Sequence, residues 1–225
     1  MKCFKLLFLL TISVLLVACT SMPPAYDYSA FKAANPKSVV VLPPINNTPE
    51  VIAPYSIMAQ VAPPIAESGF YVFPVAVVDQ TFKNNGLTVA QDIHAVEFKK
   101  LSEIFGADAA LYINIEEYGT SYVVISSETR VTVAASLVDL SSGNLLWKST
   151  ATASSAENQN ANSGGLIGIL VQAAVSQIFE TITDRGFDIA AITSSRLLSA
   201  ESYNGLLYGP RSPKFGHPVP SEKAN

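Results

Sequence analysis

The chain has 225 residues, 49% of them hydrophobic and only 14% charged, with 14 Lys and Arg against 18 Asp and Glu. Average globular chains carry about 25% charged residues, so this one is charge-poor but far too hydrophobic to be disordered. A net charge of −4 with no basic cluster also excludes nucleic acid as a partner.

The N-terminus accounts for part of the hydrophobic excess. Lys2 and Lys5 precede an apolar run from Leu6 to Val17 that only Thr11 and Ser13 interrupt. A charged start, an apolar stretch of roughly 7–15 residues and a small residue before the cut describe a secretory signal. Its end, Leu16-Val17-Ala18-Cys19, resembles the lipobox of bacterial lipoproteins. That resemblance implies cleavage after residue 18 and acylation of Cys19. The plain alternative is an ordinary secretory signal cut near Ala18, with Cys19 a free thiol. Cys3 departs with the signal, so no cysteine pair remains for a disulfide. With several acyl chains, at about 0.8 kcal/mol per buried CH₂, anchoring is expected to be permanent. By the same resemblance, Thr20 after the cysteine leans towards the outer membrane, with the domain facing the periplasm.

Four parts are therefore expected: signal peptide 1–18, lipidated cysteine and tether 19–37, α/β domain 38–202, and a Gly/Pro-rich tail 203–225. The tether carries Pro23, Pro24 and Pro36. As a coil it would span about 20–25 Å, less if Tyr26, Tyr28 and Phe31 dock on the domain.

Val39 to Leu42, stopped by Pro43-Pro44, reads as a strand buried on both faces. Tyr55 to Ser68 is helical in pattern, with Gly69 as its terminator and a kink or restart at Pro63-Pro64, Pro63 falling near a first turn. Phe70 to Val75 reads as the next strand. Thr88 and Gln91 have the spacing of a capping box. Phe98, Leu101, Ile104 and Phe105 mark one helical face, and Gly106 ends that helix. From Ala109 the period becomes two, giving strands around 109–116, 131–137 and 145–152 with a turn at Ser141-Ser142-Gly143-Asn144. No further pair of long alternating strands is expected. A helical region from about Leu166 to Leu198, broken near Gly186, closes the domain. The β-α-β-α-β-β-β-α order predicts a single α/β sandwich with a mixed sheet. In the tail, Leu206, Leu207 and Tyr208 can pack on the domain, and the last seven residues are expected to be disordered.

The inventory of reactive groups is thin. His94 and His217 are far apart with no cysteine to join them, so no metal or cofactor is expected. Glu116 and Glu117 are expected to point to opposite faces of a strand, which excludes them as a catalytic pair. Ser29-Ala30-Phe31-Lys32 matches Ser-x-x-Lys, but it lies in the tether without companion motifs. No catalytic residues are predicted. The charge-free stretch from Asn158 to Phe179 is too interrupted by polar residues to span a membrane. It reads as an amphipathic helix whose flank, Leu166, Ile169, Leu170 and Ala173, is either ordinary core or a face for a protein partner or a second copy. Together with Tyr208 and Arg211 in the tail, these residues form the candidate partner surface.

Three blocks carry a family resemblance. Val41-Leu42-Pro43-Pro44-Ile45-Asn46-Asn47-Thr48 resembles the opening strand and turn of CsgG-like and TolB N-terminal-like domains. Gly106-Ala107-Asp108-Ala109 resembles their helix-to-strand corner, and Leu137 to Trp147 their Asp-x-x-(Ser/Thr)-Gly hairpin ending in Trp. With Tyr71-Val72-Phe73-Pro74-Val75 and Tyr208-Gly209-Pro210-Arg211, the pattern is similar to a family of bacterial lipoproteins represented by a meningococcal vaccine-candidate antigen. The resemblance covers about residues 16–216. It implies a non-enzymatic outer-membrane lipoprotein working in envelope assembly or secretion, with other envelope lipoproteins or assembly proteins as partners and a homo-oligomer as a further possibility. The action is expected at an exposed sheet edge, the helix flank and the tail. The alternatives are an activator of a cell-wall synthase, which the TolB-like resemblance implies, and an envelope enzyme.

Overall fold

A computed structural model describes residues 26–123, 126–157 and 185–220. The elements in order are α1 (Ser29–Ala34), β1 (Ser38–Val41), β2 (Ile45–Asn46), α2 (Ala53–Glu67), β3 (Tyr71–Val72), α3 (Val75–Asn84), α4 (Ala90–His94), α5 (Phe98–Phe105), β4 (Ala109–Val123), β5 (Ser126–Asp139), β6 (Leu145–Ser154) and α6 (Arg185–Leu198).

Among the described residues the strands form one mixed six-stranded sheet, ordered β3-β1-β4-β5-β6, with β2 also paired to β4. The parallel pairs are β1 with β3 and β4, and β2 with β4; the β4-β5-β6 meander is antiparallel. β1 and β2 follow one another along β4, interrupted at Pro43-Pro44, which have no N–H to give to a ladder. The expected mixed α/β sheet is therefore present.

Apolar residues reach both faces. Val39, Val41, Leu111, Ile113, Ile115, Val133, Leu137 and Trp147 pack with α1, α2 and α6 on one side. Val40, Leu42 and Ala110 face α3, α4 and α5 on the other, through Val78, Phe82, Ile93 and Leu101. β1 is thus covered on both sides, as its continuous Val-Val-Val-Leu run requires.

Several elements differ from expectation. The strand expected over Phe70 to Val75 shrinks to Tyr71–Val72, and the chain turns at Pro74 into α3. Val75, Val78 and Phe82 then lie on one helical face, two of them buried in the core. α2 is a single 15-residue helix with Pro63 and Pro64 in its interior, not a restart. The carbonyls deprived of donors belong to Ala59 and Gln60, both with access to solvent, so water can satisfy them. Thr88 makes no cap: α4 begins after Val89 with no side-chain cap hydrogen bond. Gly106 does end α5, in the left-handed conformation.

The meander is longer than its alternation indicates. β4 and β5 stay paired from Ala109↔Asp139 out to Val123↔Ser126, past their last pairs with β2 and β6. Beyond Thr120 and Thr129 this hairpin arm has no other strand beside it among the described residues.

The two chain ends are built into the domain. Tyr28 and Phe31 are buried, Tyr26 stacks edge-on against Tyr28, and Phe31 stacks against Phe70. The tether therefore docks from Tyr26 onwards. Leu206, Leu207 and Val219 are buried as well, so the expected disorder of the last seven residues does not extend to Val219. The tail lies against Gly69, where the Gly209 and Arg211 amides donate to the Ser68 and Gly69 carbonyls at 2.8 and 3.1 Å. Gly69 has φ +99, and a Cβ there would collide with Ser212, so only glycine lets the tail lie this close.

Candidate functional site

The turn at 139–147 is a self-contained polar device. The Asp139 carboxylate accepts from Ser141 Oγ at 2.6 Å and from the Ser142 amide at 2.8 Å, with Ser142 Oγ a third donor. Burial opposes ionisation of Asp139, but these serine donors outweigh it and hold the carboxyl below its ordinary range. Gly143, φ +76, lies against the Phe98 ring. Trp147, fully buried, donates its indole N–H to the Asn204 carbonyl at 2.9 Å and so ties the hairpin to the tail.

Asp108 works in the same way at the other corner. Its carboxylate accepts from the Lys37 and Ser38 amides at 2.8 and 3.0 Å and from Ser38 Oγ at 2.9 Å. The acids of these two resemblance blocks, Asp108 and Asp139, thus hold backbone in place. His94 shares a hydrogen bond with the Pro43 carbonyl at 3.0 Å and sits edge-on to Tyr112. Burial lowers its pKa below the ordinary histidine value, while the Pro43 contact pulls the other way. Ser29 donates to Asp27 from its amide and hydroxyl, so the Ser-x-x-Lys match is the first turn of α1.

Glu116 and Glu117 do not obey the strand rule expected for them. A register shift between Ile115 and Glu117 leaves Glu116 unpaired, and both acids line one shallow cleft of about 410 Å³ with Glu50, Glu128 and Arg130. Glu128 is already bonded to Arg130 and Ser154. Among the described residues no group of three or more His, Cys, Asp or Glu can hold a metal ion, and no helix is long and apolar enough to cross a membrane.

The candidate partner surface is divided by the structure. Leu166, Ile169, Leu170 and Ala173 lie outside the described residues, as does Cys19. Tyr208 and Arg211 lie in the tail: Tyr208 donates to Glu201 at 3.3 Å, and the Arg211 guanidinium sits over the Tyr71 ring, 5.3 Å from its centroid. The sheet edge on β6 is partly closed. Arg196 donates to the Thr152 carbonyl at 2.9 Å and pairs with Glu157, whose carboxylate also accepts the Ser154 amide.

The sequence reading missed the two-ended character of the domain. α2 starts beside the hairpin arm, where Tyr118 donates to Ser56 at 2.9 Å, and ends at Ser68 under the tail. Its 15 residues separate these ends by about 22 Å. At the arm end Val51, Ile52 and Tyr55 are exposed to 80%, 57% and 61%. At the other end a cleft of about 380 Å³ opens between α1 and the tail, lined by Phe31, Phe70, Leu207, Tyr208 and Phe215.

The domain is a mixed α/β sheet in which Asp108, Asp139 and His94 serve backbone turns and packing, while Glu50, Glu116 and Glu117 line the shallow cleft. The comparisons agree on the lineage. The chain belongs to the family described as "Putative lipoprotein GNA1162-like", whose model matches residues 26–211. It is 48% identical over 188 residues, 84% of this chain and 86% of the relative, to "Putative lipoprotein NMB1124/NMB1162" of Neisseria meningitidis serogroup B (strain ATCC BAA-335 / MC58). The crystal structure of lipoprotein GNA1162 from Neisseria meningitidis is similar at 49% identity and a TM-score of 0.53, over 65% of this chain and all of that one. These relatives are named as lipoproteins, and no enzyme family is indicated.

Proposed function

We propose that this protein is a non-enzymatic, lipid-anchored module of the bacterial envelope that binds or scaffolds other envelope proteins from the end of its domain opposite the anchor. The anchor is the acylated Cys19, the membrane is the outer membrane, and the setting is the assembly or secretion work that the CsgG-like resemblance implies.

The observation that carries the reading is the division of the domain into two ends. The docked tether and tail fill the end from which the chain leads back to Cys19. The other end presents Val51, Ile52 and Tyr55 beside the projecting β4–β5 arm. Three exposed apolar side chains in five residues are costly to hydrate and favour a partner that covers them.

The test is crosslinking in detergent-solubilised envelopes, comparing the wild-type chain with Val51→Asp/Tyr55→Asp. Discrete crosslinked complexes that the double variant loses support the reading. A chain recovered only as an isolated monomer, or complexes indifferent to the substitutions, overturns it.

A further inference from the structure

Docking of the tether sets a leash length. Because the chain is fixed from Tyr26 onwards, only seven residue steps separate Cys19 from the folded domain. Fully extended they reach about 25 Å, and as a coil about 15 Å. A coil running to residue 37 would span about 20–25 Å, so the shorter leash keeps the domain nearer the bilayer.

The surface at the root of this leash has the chemistry of a bilayer interface. The cleft between α1 and the tail begins one helical turn beyond Tyr26 and is lined by aromatic and aliphatic side chains. Phe215 stands at its rim, 48% exposed. Lys32 lines it; in the adjoining tail Arg211 sits over the Tyr71 ring and Lys214 over Tyr208, where it pairs with Glu201, and Asp27 lies near Lys32. Apolar side chains flanked by a positive surplus are what the headgroup boundary accommodates, with anionic headgroups adding attraction.

We infer that the α1–tail face rests on the membrane, with Phe215 and the mouth of the cleft at the headgroup–acyl boundary and Lys32, Arg211 and Lys214 among the headgroup phosphates. The inference rests on the lipid-anchor reading above. It gives the domain a fixed attitude: α2 runs from the distal end to the membrane, and Val51, Ile52 and Tyr55 are held away from the bilayer.

The experiment uses the full mature chain, lipidated, in vesicles of phosphatidylethanolamine and phosphatidylglycerol with and without brominated acyl chains. The native chain has a single tryptophan, Trp147, which is buried and serves as an internal baseline. Phe215→Trp is expected to shift to the blue on membrane attachment and to lose most of its emission to the brominated lipids, while Val51→Trp keeps its emission. Vesicle-bound, lipidated protein in which Trp at 215 is unquenched, or in which both positions are quenched alike, overturns the orientation and leaves the anchor standing. Recovery of the chain with an unacylated Cys19 overturns both. Both substitutions replace exposed side chains, so loss of folding is not expected, and an unchanged circular-dichroism spectrum checks this.

Discussion

The phenol of Tyr28 donates to the carbonyl of Gly205 at 2.6 Å, closing a span of 177 residues with both groups buried. Around it, the Tyr26 amide donates to the Asn204 side chain and Trp147 to the Asn204 carbonyl. Tether, hairpin and tail therefore meet at one polar junction inside an otherwise aromatic cluster.

Tyr28→Phe keeps the ring and removes the bond, leaving the Gly205 carbonyl buried without that donor. A loss of about 1–3 kcal/mol is expected in urea unfolding. If the tail docked independently of the tether, the midpoint would not move.

Asp139→Ala removes the acceptor of the 139–147 turn and should cost about 1–3 kcal/mol by the same measure. In the native chain the folded carboxyl titrates below its unfolded value. Its stabilisation is therefore present above the unfolded pKa of about 3.8–3.9 and is lost as pH falls through the folded pKa. Asp139→Ala should flatten the acid limb of a stability–pH curve in that window.

His94 acts at milder pH. Its folded pKa lies below the unfolded value of about 6.5, so the unfolded chain takes up the proton first and stability declines as pH drops from 7 through the folded pKa. Thermal melts between pH 7.5 and 5 should show this slope, and His94→Gln should remove it. An unchanged slope in the variant would place its source elsewhere.

Ser194 is nearly inaccessible on α6, and its hydroxyl has no hydrogen-bond partner among the described residues. Ser194→Ala should be neutral or stabilising by up to about 1 kcal/mol, since it removes an unpaired polar atom and adds helix propensity. A clear loss would mean that residues 158–184 supply a partner.

Cys19→Ala should abolish metabolic labelling with palmitate and move the protein from the membrane to the soluble fraction. Retention in membranes without label would contradict lipid anchoring and point to a protein tether.

Where the sequence was legible, one period dominated. β1 read as a doubly buried strand because four apolar residues run together, and α5 because its apolar residues recur at helical spacing before Gly106. α3 was hidden by its β-branched start: Val75, Val77 and Val78 continue the apolar run of Tyr71 to Phe73, and only the spacing of Val75, Val78 and Phe82 signals a helix. The arm after Ile115 was hidden for the opposite reason. Its Thr, Ser and Glu have no buried face to alternate against, and the bulge at Glu116 shifts the phase. In the site, Tyr208 and Arg211 were marked by the motif around them, but the two-ended layout depends on tertiary docking of residues 26–37 and 200–219. Their aromatic and Leu-Leu content hinted at such docking without fixing its place.

The clasp of Arg196 and Glu157 on Thr152 and Ser154 bears on crowding. Lipoproteins confined to one leaflet collide mostly side to side, the geometry in which open strands on neighbouring copies zip together. With those backbone groups already occupied, a second strand could pair along the 152–154 end of β6 only after an ion pair had been broken. The clasp therefore closes the 152–154 end of this edge to such zipping, and side-by-side contact there is left to side chains.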